Sequence, residues 1–167
     1  MVQNKKLSKG FTLIELIIVI TIIALFSGML FAYYGNFNEE KKLQSEVKKI
    51  TAIAYLARSK ATAGDLDLNL PACSDFLGYR ININSSSTYA LERNCGGTYV
   101  SVQTQTLPTN TTITSAIPLL VLFKPLSAGT DLSSPTTVVI KDSFINRCMS
   151  IQISTLGVIT ENAAYAC

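Results

Sequence analysis

The stretch from Phe11 to Phe31 constrains this chain most, because its twenty-one residues are predominantly apolar and include one formal charge, at Glu15. As a helix, this stretch would cover about 30 Å, which is the hydrocarbon thickness of a bilayer. A carboxylate at the bilayer centre costs about 2.5–3.5 kcal/mol, so a charge at such depth usually has a partner and a function. We therefore predict a transmembrane helix over residues 11–31 with a specific role for Glu15.

The residues at the start of this run, Gly10 followed by Phe-Thr-Leu-Ile-Glu, resemble the class III signal of type IV prepilins and type II secretion pseudopilins. The resemblance implies that residues 1–10 are a leader, which prepilin peptidase removes by cutting between Gly10 and Phe11. It also implies that the new amino terminus at Phe11 is methylated, and that Glu15 pairs with the terminal ammonium of a neighbouring subunit during assembly. Two charges in a low-dielectric groove are tolerable when they meet each other.

Two other interpretations of the same run remain open. An ordinary secretory signal would be cut after the apolar core, and the residues Leu25-Phe26-Ser27-Gly28 are a poor match to such a site. A plain membrane anchor would need no assembly role. Both interpretations leave the charge of Glu15 unexplained.

The charge distribution indicates membrane orientation. Three of the fourteen basic residues, Lys5, Lys6 and Lys9, lie in the leader, which leaves eleven basic residues against eleven acidic ones in the mature chain. Positive residues stay on the cytoplasmic side of a membrane. We therefore predict a single-pass protein of the inner membrane, with everything after Phe31 outside the cytoplasm and later in a filament. A neutral mature chain gives no reason to predict a nucleic-acid partner.

Beyond Phe31 the pattern becomes amphipathic and predicts that the helix continues over residues 32–64. Apolar residues recur at alternating steps of four and three, which places them in one stripe. The stripe consists of Leu43, Val47, Ile50, Ala54, Ala57 and Ala61. We predict one helix from Phe11 to about Ala63, with Gly64 at its C-cap.

From Asp65 the composition shifts to Ser, Thr, Asn and β-branched residues, which predicts a β-rich exported domain over residues 65–167. Alternating patterns and short apolar runs predict the strands 79–83, 88–94, 98–104, 119–123, 137–140, 148–154 and 158–160. The predicted fold class is α+β and pilin-like. A long N-terminal helix, transmembrane in its first half and amphipathic in its second, packs on a small antiparallel β-rich C-terminal domain.

Four cysteines, Cys73, Cys95, Cys148 and Cys167, all lie in this exported part. An even number of cysteines in an oxidising compartment suggests two disulfides, for which three connectivities exist. We predict that sequence neighbours pair, joining Cys73 to Cys95 and Cys148 to Cys167. Without a CxxC pair or any histidine, the spacing does not predict a metal site.

A second, weaker resemblance covers the C-terminal half. The strand rhythm from Val121-Leu122-Phe123-Lys124-Pro125 to Gly157 resembles minor pseudopilins of the GspH/FimT kind. Some FimT-like members bind DNA through basic residues just after that last glycine, where this chain has Val158 and Ile159. Many type IV pilins have a proline near the outer end of the apolar run, and its absence around residues 32–34 favours a minor pilin or a pseudopilin.

The predicted function is therefore that of a structural subunit of a type IV pilus or type II secretion pseudopilus. The alternative is a binding module displayed on such a filament, for example an adhesin or a DNA-uptake tip protein. The resemblance implies four kinds of partner: other pilin or pseudopilin subunits, prepilin peptidase, the inner-membrane assembly platform, and membrane lipid before assembly. No nucleophile–base arrangement, P-loop or calcium-loop motif is present in the sequence, so we predict neither an enzyme nor a cofactor.

Overall fold

The computed structural model describes residues 10–127 and 129–167, with side chains left undescribed at 29–33 and 127. The predicted leader, residues 1–10, therefore lies outside the described residues except for Gly10. The chain divides into two compact units, Met1–Asn38 and Glu39–Cys167. Each unit is described here by itself.

Helix α1 runs from Leu13 to Ala63. It begins two residues after the predicted start at Phe11, and it ends where the sequence predicted. Gly64 follows with a φ of 64°, a left-handed conformation that glycine adopts without steric cost. The amide of Gly64 donates to the carbonyl of Ala61, and the amide of Asp65 donates to that of Lys60. This pair of bonds is a Schellman motif, which satisfies carbonyls that the end of a helix leaves free.

In the first unit, the described apolar side chains are largely exposed on every side of the helix. Phe11 is 86% exposed and Leu13 is 76% exposed, and the apolar residues up to Phe26 are exposed as well. Among the residues that the structure describes, no helix is long and apolar enough to cross a membrane. The transmembrane stretch predicted at residues 11–31 stays a prediction.

The second unit contains eight strands in two antiparallel sheets. The strands are β1 (Phe76–Ile83), β2 (Thr88–Cys95), β3 (Thr98–Thr106), β4 (Thr111–Ile113), β5 (Leu119–Phe123), β6 (Thr136–Asp142), β7 (Arg147–Ile153) and β8 (Ile159–Ala166). The first sheet has the order β3-β2-β1-β5 and the second has the order β4-β6-β7-β8. The α+β class predicted from the sequence is confirmed. Strand β4 was not predicted, since three residues are too few to form a recognisable pattern.

One hydrophobic core joins the C-terminal part of α1 to both sheets. All six residues of the predicted helical stripe are buried, which confirms that prediction. Strands of both sheets contribute alternate residues to the same core, for example Ile81 from β1 and Ile151 from β7. At Gly78 a side chain is impossible, because its φ is 125° and a Cβ there would collide with the carbonyl oxygen of Phe123. This close approach lets β5 pair with β1 at that end of the sheet.

The loop that connects α1 to β1 is held from β2 by a buried arginine. Arg93 is 1% exposed, and its guanidinium donates to the backbone carbonyls of Leu66, Asp67 and Pro71.

An ion pair connects the same loop to the helix, since Lys60 of α1 donates to the carboxylate of Asp65 at 2.7 Å. That hydrogen bond is the main cause that raises the pKa of Lys60 and lowers the pKa of Asp65.

Two disulfides join Cys73 to Cys95 and Cys148 to Cys167. These are the two pairs that the sequence predicted. The first connects the same α1–β1 loop to the end of β2, so Arg93 and this disulfide fix neighbouring parts of one loop. The second ties the chain terminus to β7, to which β8 is paired in the sheet.

Two buried tyrosines in the core provide a stability test. The hydroxyl of Tyr79 donates to the carbonyl of Asp65 at 2.7 Å, whereas the hydroxyl of Tyr89 has no hydrogen-bond partner among the described residues. Burial of that phenol and the nearby charge of Glu46 raise the pKa of Tyr89 to about 12. An unsatisfied buried hydroxyl destabilises the folded state, so Tyr89→Phe should leave the free energy of unfolding unchanged or raise it by up to about 1 kcal/mol.

Tyr79→Phe is the matched control, and it should lower the free energy of unfolding by about 1 kcal/mol because a hydrogen bond is lost. The measurement is denaturant unfolding of the full chain in detergent, with both variants alongside the wild type. An equal loss of stability in the two variants would contradict the difference between the two hydroxyls.

Candidate functional site

The first turn of α1 contains a hydrogen-bonded pair, Thr12 and Glu15. The backbone amide of Thr12 donates to Oε2 of Glu15 at 3.0 Å, and the Thr12 hydroxyl donates to the same oxygen at 2.9 Å. In return, the amide of Glu15 donates to the Thr12 hydroxyl at 3.3 Å. The first helical bond runs from the amide of Leu16 to the carbonyl of Thr12 at 3.2 Å. This arrangement is a capping box, with Thr12 as the N-cap and Glu15 as the third helical residue.

The capping box explains where the helix begins and where the Glu15 carboxylate lies. Four amides at a helix start have no partner within the helix, and the dipole there favours a negative charge. Both bonds from Thr12 reach Oε2, and no described residue donates to Oε1. One oxygen of Glu15 is therefore committed to its own helix, while the other remains available.

The predicted cleavage site lies just before this cap. Gly10 and Phe11 are exposed and outside the helix. A Cβ placed on Gly10 would meet no atom within 4 Å, so the backbone there is surrounded by open space. Exposed backbone outside regular structure is the kind of segment that peptidases cut most readily.

The sequence reasoning missed Thr12, although its signal was present. A threonine followed three residues later by glutamate, just before an apolar run, is the pattern of a capping box.

The other predicted site residues lie in two separate parts of the chain. Gly10, Phe11 and Glu15 adjoin the first helical turn, whereas all four cysteines lie in the second unit as disulfides. Within the described residues, no group of acidic, histidine or cysteine side chains could hold a metal ion.

Residues 5–31 match the family model of the prokaryotic N-terminal methylation motif. This match supports a type IV prepilin-like or pseudopilin-like protein. The matched residues include the lysines of the predicted leader, the predicted cleavage site, the capping box and the apolar run. No curated protein and no solved structure matches the prepilin-like chain.

The match supports a processed, structural and non-enzymatic subunit with other pilin-type subunits and prepilin peptidase as partners. It also supports a protein that is first anchored to a membrane and then incorporated into a filament. These conclusions and the two disulfides agree with the general function that the sequence predicted, a processed filament subunit.

Proposed function

We propose that the chain is a minor pilin or pseudopilin, a subunit of a type IV pilus or type II secretion pseudopilus. Prepilin peptidase cuts between Gly10 and Phe11 and methylates the new terminus. Residues 11–31 hold the subunit in the inner membrane, with the disulfide-bonded domain outside the cytoplasm. The observation that carries the proposal is the match of residues 5–31 to the methylation motif. The only acidic residue in that range, Glu15, is hydrogen-bonded to Thr12 at the start of the helix.

The exposed apolar side chains of the first unit support the membrane and filament roles. A helix that is apolar on every side has no stable place in water. It is stable only in lipid or against other apolar surfaces, such as equivalent helices of neighbouring subunits. Both environments occur in the proposed pathway, first the membrane and then the filament.

The geometry of Glu15 supports an assembly mechanism. A buried carboxylate is strongly unfavourable without partners, and in this helix Oε2 already accepts two hydrogen bonds from Thr12. The free Oε1 can accept a hydrogen bond from the Phe11 ammonium of a neighbouring subunit. The capping-box bonds to Oε2 stay in place. One carboxylate then caps its own helix and sets the axial position of its neighbour through a charge-assisted hydrogen bond.

Processing provides the direct test of this proposal. Mass spectrometry of the protein recovered from membranes or filaments should identify a chain that starts at methylated Phe11. Gly10→Val should block the cut and leave the leader attached. Because no neighbouring atom approaches the Gly10 Cβ position, this variant tests recognition by the peptidase rather than folding. A mature start near Met29, or an intact leader in the wild-type chain, would overturn the proposal.

A further inference from the structure

Strand β3 forms one edge of the first sheet and has the composition of an unprotected edge. Its nine residues, Thr98–Thr106, include no charged residue and no proline. Most of its side chains are exposed. Exposed edges present unpaired amide and carbonyl groups, and proteins usually protect them with charges, prolines, coverings or short strands.

The other three sheet edges are protected in such ways. The outer edge of β5 is covered by the segment 129–131, where the amide of Lys124 donates to the carbonyl of Gly129 and the amide of Asp131 donates to that of Leu122. Strand β4 has three residues. Strand β8 contains Glu161, and its first residue is engaged by α1, since the Tyr55 hydroxyl donates to the carbonyl of Ile159 at 3.1 Å. Strand β3 is thus the long, uncharged edge among the described residues, and its ladder bonds all go to β2.

A groove between α1 and this edge provides space for one more strand. Its helical wall includes the apolar residues Ala52, Ile53 and Leu56, of which Leu56 is 38% exposed, and the charged Lys49, whose ammonium pairs with Glu46. Its other wall is formed by Gln103 and Gln105 of β3. These glutamines pair with the buried Leu91 and Tyr89, and directly opposed residues share a face, so both lie on the helix side of the sheet. A strand added to β3 would cover this helical wall with its own alternate side chains.

We propose that β3 is a self-pairing interface, in which the β3 strands of two copies align antiparallel and join their sheets. An antiparallel edge is complementary to itself, because both partners present the same alternation of amide and carbonyl groups. The strand has no charge, so self-pairing places no like charges opposite each other. The Thr, Ser and Gln side chains can form hydrogen bonds across the new pair. The two-fold axis then lies between the two β3 strands and gives a closed, isologous contact, and two-fold dimers are the commonest homo-oligomers.

This interface involves residues of the second unit alone and does not depend on the proposed function. It can therefore be tested on the uncleaved full chain in detergent, whether or not the chain is processed or assembled. One cysteine is added at each of several consecutive β3 positions and labelled with a nitroxide, while both native disulfides remain intact. A label at Thr160 on β8 is the control.

Pulsed electron paramagnetic resonance then measures the distance between labels in two copies. Antiparallel pairing predicts a minimum at one position in β3 and an increase of about 7 Å per residue on either side, twice the rise of a strand. Parallel pairing would give a constant short distance, and another interface would give no such minimum. Either result would overturn the proposal, as would a chain that stays monomeric.

A charge on the edge provides the second test. Thr104 is exposed and lies opposite Ala90, so Thr104→Lys should not disturb the core. When the label distance is smallest at Thr104, self-pairing brings two lysines close together, and the dissociation constant of the dimer should rise about tenfold. Thr160→Lys makes the same change on the other long edge and should leave the dissociation constant unchanged. Equal unfolding midpoints confirm that both variants fold, and an unchanged dimer in Thr104→Lys with the smallest label distance at Thr104 would exclude this edge.

Discussion

Glu15→Ala is expected to leave membrane insertion and cleavage intact while lowering incorporation into filaments about tenfold or more. Alanine can neither cap the helix start nor accept the ammonium of a neighbouring subunit. A charge-assisted hydrogen bond in a water-poor groove contributes roughly 1.5–3 kcal/mol, which corresponds to at least a tenfold change in an equilibrium. The measurement is co-purification of the variant with filaments, alongside an assay of leader removal.

Two further variants separate the cap from the contact between subunits. Glu15→Gln keeps a hydrogen-bonding side chain and should impair incorporation less than alanine does. Thr12→Val removes the hydroxyl that holds Glu15 and should lower incorporation by a smaller factor, while Thr12→Ser keeps the hydroxyl and should behave as wild type. If Glu15→Ala is cut and incorporated as well as the wild type, the pairing role is wrong and the chain behaves as a plain membrane anchor.

Removing the first disulfide should destabilise the second unit and loosen the loop after α1. The double change Cys73→Ser with Cys95→Ser releases a loop closed over a separation of 22 residues, and chain entropy predicts a loss of about 3 kcal/mol. The loop after α1 would then be held mainly by Arg93. Denaturant unfolding measures the loss, and limited proteolysis should reveal new cleavage between residues 64 and 75.

The second disulfide is the matched control, since Cys148 and Cys167 close a loop of similar separation, 19 residues. The corresponding double serine variant should lose a similar free energy of unfolding while the loop after α1 stays resistant to protease. Free thiols in the mature wild-type protein, or equal proteolysis of that loop in both variants, would contradict this assignment. Non-reducing peptide mapping identifies the pairs directly.

Much of the fold could be predicted because it is encoded by local patterns. The spacing of Leu43, Val47 and Ile50 predicted which face of α1 is buried, and Gly64 predicted where the helix ends. Alternating patterns and short apolar runs predicted six of the eight strands within a few residues. Each of these features depends on the helical period, the strand period or turn chemistry, which a short segment specifies by itself. The capping box of Thr12 and Glu15 belongs to this class too, although the sequence reasoning considered Glu15 alone.

What only the tertiary structure determined is the set of neighbours that come from distant parts of the chain. The sequence did not predict that the strands form two sheets, or that β5 pairs with β1 across the intervening hairpin. The burial of Arg93 also depends on distant residues, because three carbonyls of the α1–β1 loop accept its hydrogen bonds. The exposure of the β3 edge likewise depends on distant residues, because the edges of β5 and β8 are covered by other parts of the chain. A local pattern specifies which face of a strand is buried, whereas its partners depend on the packing of the whole domain around α1.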